Sequence, residues 1–436
     1  MSETGNASRV RGQSCRGHNG RARRPAFARR LRRAKPAAPR RGRLARHGGK
    51  GHVRVFHIAT WALILASACA AAAEEGAWRT YRGDTALRGA TDLELPDRPA
   101  LLWRYRAGAP IMETPVCDGT LLFVTTRDAR VIALDLNGAE KWTAAPRPPP
   151  ATNRTSAAES FEAPPACAAG LVLVCGAGGT VYALDAATGS ERWRYDAGAN
   201  IRSTANWEDD GNGKPGRVVI LTQPDGALHC LATDTGRAVW NAPGAARTDG
   251  SIAVHRGRIV FGSCDSALHV VSLADGRETL AARLGDGHEI AAGVAVEGDR
   301  AFTGNRSGSL VCVDLASGKT LWVCEEGGGE LFTTPAVRGD RVVFASGDGD
   351  VLCVAKDSGR AVWRLDANAA EAKSPVIAGA HVAAALDGTL HLLSLENGRE
   401  LWSFEAGDRI TAPAVVGGMI LIGTDQGHVL AFGRRE

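Results

Sequence analysis

The stretch NWEDDGNGKPGRVVI, residues 206–220, gathers more candidate chemistry than any other part of this 436-residue chain. Glu208, Asp210 and Asn212 alternate in an acidic, glycine-rich loop, the spacing at which the first half of a calcium loop presents its oxygens. The ninth position, where another acidic ligand belongs, is Gly216, with Arg217 beside it. These three residues are the candidate metal set, weighed against a solvated loop joining two strands. Gly211, Gly213 and Gly216 also spell a dinucleotide fingerprint. That fingerprint needs a strand before it and a helix after it, and here Pro215 is followed by the β run RVVIL, so no nucleotide site is expected. His229, His269 and His391 form a second possible metal set. They share one position of a repeat, which places them on separate units and favours structural filling. Zincin, nucleophile-elbow and P-loop patterns do not occur.

The repeat explains more of the chain than any single motif. ALDLNGAEKW (133–142), ALDAATGSERW (183–193), CLATDTGRAVW (230–240), VVSLADGRETL (270–280), CVDLASGKTLW (312–322), CVAKDSGRAVW (353–363) and LLSLENGRELW (392–402) recur about every forty residues. Within each period three apolar runs precede a turn and a fourth run closed by Trp. Four short strands per forty residues is the size of a propeller blade. The turn glycine, Gly189 in the best copy, supplies positive φ, and Asp185 can bond the turn backbone. Pro115, Pro165, Pro335, Pro375 and Pro413 recur in the first run, read as the inner edge strand. Arg, Lys and Glu in the fourth run are read as protection of the outer edge.

Eight sets of first-to-third strands occur, but only seven are followed by a fourth. The missing one is found upstream in ALLWRYRAG (100–108), whose Trp103 precedes Trp142 by one period. The expectation is an all-β, eight-bladed propeller of four-stranded antiparallel blades closed by the strand near Trp103, with seven blades as the alternative.

The pattern Ala-x-Asp-x-x-Thr-Gly-x-x-x-Trp, met in full by Ala183, Asp185, Thr188, Gly189 and Trp193, resembles the tryptophan-docking motif of the quinoprotein-type (pyrroloquinoline quinone, PQQ-like) propeller repeat family. The resemblance covers residues 100–436. It implies that Trp103, Trp142, Trp193, Trp240, Trp322, Trp363 and Trp402 dock blades on their neighbours, with Leu280 marking a weaker contact. One branch of the family is PQQ-dependent dehydrogenases; the other is non-catalytic, BamB-like propellers of outer-membrane-protein assembly. The dehydrogenases are longer, and many carry an adjacent Cys pair, a calcium cluster with a catalytic Asp, or a haem, none of which is recognisable here. The resemblance therefore implies a non-enzymatic scaffold that binds protein or peptide partners in the cell envelope and needs no cofactor. A PQQ-dependent oxidoreductase using calcium, or a carbohydrate-binding propeller, are the alternatives. AWRTYRGDTALRG (77–89), within an extended segment 74–99, resembles the lead-in of secreted propellers of this type and is read as a tail packed on the ring, anchored by Trp78.

Charge is divided unevenly. Residues 1–54 hold 17 Lys/Arg and one acid, leaving 35 basic and 46 acidic residues for the remainder. An acidic folded part repels phosphate backbones, so nucleic acid is not an expected partner. Residues 1–52 lack core formers and are read as disordered. VRVFHIATWALILASACAAAAEEG, from Val53, reads as a secretory signal (53–73) with an apolar run shorter than a membrane span. This points to translation from Val53 as an alternative start codon. LASAC, ending at Cys69, faintly resembles a lipoprotein box, the only route to a membrane; the alternative is cleavage near Ala73. The eight later cysteines include Cys230, Cys312 and Cys353 at one repeat position and are read as buried filler rather than disulfides. The proline-rich insertion 145–160 is read equally as a loose loop or a docking protrusion.

Overall fold

A computed structural model describes residues 76–147, 160–208, 216–407 and 409–435. The basic segment 1–52, the signal 53–73 with Cys69, most of the proline-rich insertion, and Asp210 and Asn212 lie outside the described residues.

The described residues form no helix, and their strands fall into eight sheets. Blades 1 to 7 span 116–144, 166–196, 206–242, 253–283, 295–324, 336–365 and 376–405, each four strands in consecutive antiparallel order. Blade 8 takes three strands from 414–433 and its fourth from Ala100–Arg106, which pairs antiparallel with His428–Gly433. The chain is thus an eight-bladed β-propeller, and the seven-bladed alternative is excluded. Closure by the first long strand ties the two ends of the ring together and leaves no incomplete blade.

Blade burial follows from stacking. In blade 6, Arg341–Ala345 and Val351–Ala355 are buried on both faces apart from their terminal residues. Each blade is covered on both sides by its neighbours, so its middle strands read as continuous apolar runs. The cores lie between blades: Trp193 of blade 2 packs with Val218, Ile220 and Leu231 of blade 3. Cys230, Cys312 and Cys353 lie directly opposite Trp240, Trp322 and Trp363 in their outer hairpins and are buried. A small residue there makes room for the indole; Ala133 and Ala183 do the same opposite Trp142 and Trp193.

Two details differ from the sequence reading. The recurring prolines sit one residue ahead of the first strands, which begin at Val116, Ala166, Ala336, Val376 and Ala414, rather than inside them. Lacking an N–H, proline is easily placed where the ladder has not begun. The outer strands Ala238–Ala242 and Thr320–Cys324 carry no charge. Their register, like that of every outer strand, shifts at a bulge just before the Trp position. The bulge leaves Val239 and Leu321 exposed, as it does Leu102 and Val362, and interrupts edge-to-edge pairing in place of charge.

The N-terminal segment is a strap across one end of the ring. Trp78 exchanges backbone hydrogen bonds with Cys117 of blade 1, and Cys167 of blade 2 donates to Arg79 O at 2.7 Å. The strap then turns back through Arg82 and Leu87, both in the left-handed region at φ 68° and 56°. It next follows the inner strands: Val254, Val296, Val337 and Ile377, of blades 4 to 7, donate to the carbonyls of Thr85, Ala86, Arg88 and Gly89. Asn206 of blade 3 donates its side-chain amide to Thr85 O at 2.8 Å. Ala90–Thr91 ends the strap as a parallel fifth strand on blade 7.

Candidate functional site

The Trp residues form a girdle between blades. The indole Nε1 of Trp103, Trp142, Trp193, Trp240, Trp322 and Trp363 donates to a backbone carbonyl of the next blade, respectively Leu136, Ala186, Thr233, Leu273, Lys356 and Leu395, at 2.8–3.0 Å. Each ring also lies flat on the turn glycine of that blade. A Cβ on Gly189 would stand 2.6 Å from Trp142, and one on Gly236 would stand 2.5 Å from Trp193. So these turns need glycine twice, for φ near +70° and for the approach of the ring. Asp185 builds the turn around Gly189: its carboxylate accepts from the amides of Ala187 and Thr188, the Thr188 hydroxyl and Arg192. The Arg192 and Thr188 side chains hold its pKa below the ordinary aspartate value.

Two positions depart from the girdle. Leu280 of blade 4 reaches Gly318 with its Cδ1 but has no N–H to give. Leu280→Trp should add the missing bond to the carbonyl of Leu315 and raise stability by about 1 kcal/mol, read from the urea midpoint. Trp402 meets no turn glycine, because the outer strand of blade 8 arrives from Ala100–Arg106 rather than through a hairpin. It packs edge-on against Phe432, with ring centroids 5.4 Å apart.

Little of the candidate chemistry converges. Glu208 Oε1 accepts from the amide of Gly257 in blade 4 at 2.5 Å, so it ties two blades; Asp210 and Asn212 are not described. His229, His269 and His391 sit on blades 3, 4 and 7, bonded respectively to Tyr195, to Ser263, Asp265 and Glu278, and to Glu400. Among the described residues no group of three His, Cys, Asp or Glu is placed to hold a metal ion.

The end of the ring away from the strap, where the chain enters each first strand, forms an open mouth among the described residues. Four residues ahead of those strands stand Met112, Glu162, Arg202, Asp249, Ala291, Phe332, Ala372 and Ile410, on blades 1 to 8 in turn. Phe332 is 56% exposed and Met112 39%, whereas Ile410 and Ala291 are buried. Charged residues frame them. Arg306 lies over the Phe332 ring, 5.2 Å from its centroid, and pairs with Glu330 at 2.8 Å. Arg247 holds Asp249 at 2.9 Å, and Arg202 holds Glu162 at 2.9 Å. This arrangement, exposed apolar anchors within a charged rim, suits a protein surface. No motif marked it, because the repeat position is occupied by a different residue type in nearly every blade.

One residue farther in, Glu113 and Lys373 are the charged members of the wall. Burial pushes the Glu113 pKa from 4.5 to about 8, against the pull of Lys373 and with the help of Glu162. A carboxyl whose folded pKa is raised keeps its proton in the native state while the unfolded chain has lost it. Stability is therefore full below pH 4.5 and falls as pH rises to about 8. Glu113→Gln removes that loss. Its melting temperature should match wild type at pH 4.5 and exceed it at pH 8, by the equivalent of up to about 4 kcal/mol. Equal gaps at both pH values would show that the carboxyl is not the titrating group.

Comparison with known proteins gives both branches of the repeat family. The family described as outer membrane protein assembly factor BamB matches residues 97–200, 154–289 and 279–436. Outer membrane protein assembly factor BamB of Burkholderia pseudomallei (strain K96243) is 30% identical over 145 residues, 33% of this chain and 34% of that protein. Polyvinylalcohol dehydrogenase of Pseudomonas sp is 29% identical over 157 residues, 35% of this chain and 20% of that enzyme. The matched stretches thus span about a third of the first of these relatives and a fifth of the second. The crystal structure of BamB from Moraxella catarrhalis superposes with a TM-score of 0.64 at 19% identity, covering 78% of this chain and 98% of that one. At that identity the likeness is one of fold.

Proposed function

This chain belongs to the family of outer membrane protein assembly factor BamB, and on that premise we propose that it is an exported, non-catalytic scaffold that binds protein partners in the cell envelope, in outer-membrane-protein assembly. The observation that carries the reading is the open mouth, where Phe332 and Met112 stand exposed inside a rim of paired charges on a rigid ring. A preformed apolar anchor on a rigid element costs little ordering entropy on binding. Family membership supports an envelope partner. The test is affinity purification from the native envelope with a tagged chain. Phe332→Asp should lose the partner recovered by wild type while its melting temperature stays within about a degree, since the side chain is a surface group. Unchanged recovery with both Phe332→Asp and Met112→Asp would remove the open mouth as the docking face.

Export itself is tested by mass spectrometry of the mature chain. An acylated N-terminus at Cys69 supports membrane anchoring, and a free N-terminus near Glu74 supports cleavage into the periplasm. The second reading, a PQQ-dependent oxidoreductase, is favoured by the similarity to polyvinylalcohol dehydrogenase. Reconstitution with the quinone and calcium, followed by dye reduction with alcohols, tests it; stoichiometric binding with turnover would displace the scaffold reading.

A further inference from the structure

Phe332 lies in the loop 325–335 that enters blade 6, and this loop is tied to the turns of blades 5 and 6 on either side. Leu331 donates its amide to Asn305 O at 3.0 Å, Gly347 donates to Gly327 O at 3.0 Å, and Gly329 donates to Asp348 Oδ1 at 3.2 Å. The blade 5 turn is tied in the same way to the loop before it, from Arg306 N to Glu289 O at 2.9 Å. Every residue from 283 to 375 is described, so the charge of this sector of the mouth can be read in full.

Carboxylates outnumber cations there. Arg306 is engaged with Glu330 at 2.8 Å and Asp249 at 3.6 Å, Arg364 with Asp350 at 2.5 Å and Asp366 at 2.9 Å, and Lys373 with Glu371 at 2.7 Å. Asp286, Glu289, Glu325, Glu326 and Asp348 remain, in no ion pair among the described residues. The one unpaired cation of the sector, Arg283, ends the outer strand of blade 4. The chain itself shows what the corner accepts. Arg306 holds its guanidinium 5.2 Å from the Phe332 centroid while Glu330 and Asp249 pair with it. An aromatic face ringed by carboxylates is a favourable setting for a cation. With that guanidinium in place Phe332 is still 56% exposed.

We propose that the partner segment docked at this mouth is basic: its Lys or Arg side chains meet the unpaired carboxylates of blades 5 and 6 while an apolar side chain covers Phe332. The inference rests on the reading of the open mouth as the docking face and adds the partner's charge to it. Complementary charge sets partner choice and speeds encounter, and burial of the phenylalanine supplies the anchor. An acidic or phosphate-rich partner meets like charge here and is disfavoured.

The experiment is fluorescence anisotropy of the purified full chain with the labelled peptide Lys-Arg-Gly-Trp-Gly-Arg-Lys and with its acidic counterpart Glu-Asp-Gly-Trp-Gly-Asp-Glu. Wild type should bind the basic peptide saturably and the acidic one not at all. Affinity should fall at least about tenfold between about 0.05 M and about 0.5 M salt. Glu289→Gln, Glu326→Gln and Asp348→Asn together should weaken binding about tenfold at the lower salt, the product of about twofold for each exposed ion pair lost, at an unchanged melting temperature. Phe332→Ala should weaken it at both salt concentrations. Asp275→Asn with Glu396→Gln removes carboxylates from outer hairpins at the strap end and should leave binding unchanged. The proposal is overturned if the basic peptide does not bind, if the acidic one binds as well, if the triple variant binds as wild type does, or if the strap-end pair costs as much as the triple variant. In the envelope purification, recovery lost by Phe332→Asp but kept by the triple variant removes the partner's charge alone and leaves the docking face standing.

Discussion

Gly359→Ala should destabilise the protein by about 3 kcal/mol or more, and lower its melting temperature by about 5–10 °C. Three costs add. The glycine sits at φ 69°, where a Cβ costs about 1–2 kcal/mol. That Cβ would lie 2.5 Å from Cε3 of Trp322, a contact no van der Waals surface permits. The indole must therefore withdraw, and its bond to Lys356 O, 2.8 Å long, goes with it at a further cost of about 1 kcal/mol. Because the ring packs in the core shared by blades 5 and 6, beside Phe302 and Phe344, it has no slack in which to tilt. Two further substitutions separate these costs. Gly170→Ala has φ 76° and nothing within 4 Å of its new Cβ, so it carries the backbone term alone. Gly318→Ala meets Leu280 Cδ1 at 2.8 Å, the movable end of a flexible side chain, and should fall between the other two. Urea midpoints in the order Gly170→Ala, Gly318→Ala, Gly359→Ala check the argument. If Gly359→Ala were no worse than Gly170→Ala, indole docking would not be what the glycine serves.

Arg82→Ala is the second large effect, and it acts through the strap. The Arg82 side chain is buried and donates to the carbonyls of Ser374, at 3.1 Å, and Pro375. Beside it, the Tyr81 hydroxyl bonds Ser374 Oγ at 2.9 Å. These contacts reach blade 7, opposite blade 3 in an eight-membered ring, so one side chain braces the strap across the axis. Burial lowers the Arg82 pKa to about 10, but the group stays charged at neutral pH, and its partners are carbonyl oxygens rather than a carboxylate. Alanine leaves a void and two carbonyls without their donor, a loss of about 3 kcal/mol. Gly89 has its Cα packed against the guanidinium, so Gly89→Ala, which would drive a Cβ to 2.0 Å from an Arg82 nitrogen, should reproduce the effect. Hydrogen exchange gives the specific readout. The amides of Cys167, Val254, Val296, Val337 and Ile377 all donate to strap carbonyls, so a released strap should unprotect them together across five blades. Wild-type protection at those amides in Arg82→Ala would show that the strap is held without it.

Much of the ring was legible in the sequence because its causes are local. The hairpin that ends in Trp193 is made by residues a few positions apart: Asp185 bonds the turn, Gly189 supplies the dihedral, and Ala183 faces the indole. Repetition then multiplies a weak local signal into a strong one, and Trp103 one period ahead of Trp142 revealed the closing strand. The fate of Trp402 was not legible, since its neighbour blade is completed from the other end of the chain and has no turn to offer it. Nor were the exposed Phe332 and Met112, which share a repeat position with Glu162 and Arg202 and so form no pattern.

By itself, then, the sequence determined the blade and pointed to eight of them closed by the strand near Trp103, because these follow from periodicity, turn dihedrals and edge chemistry within about forty residues. Only the tertiary structure decided how the two ends of the channel differ. The strap binds across separations such as the 292 residues between Arg82 and Ser374, and no local pattern encodes those contacts. Their existence depends on the ring having closed first, for only a closed ring brings seven inner strands within reach of one short segment. The same closure leaves Phe332 exposed at the end away from the strap.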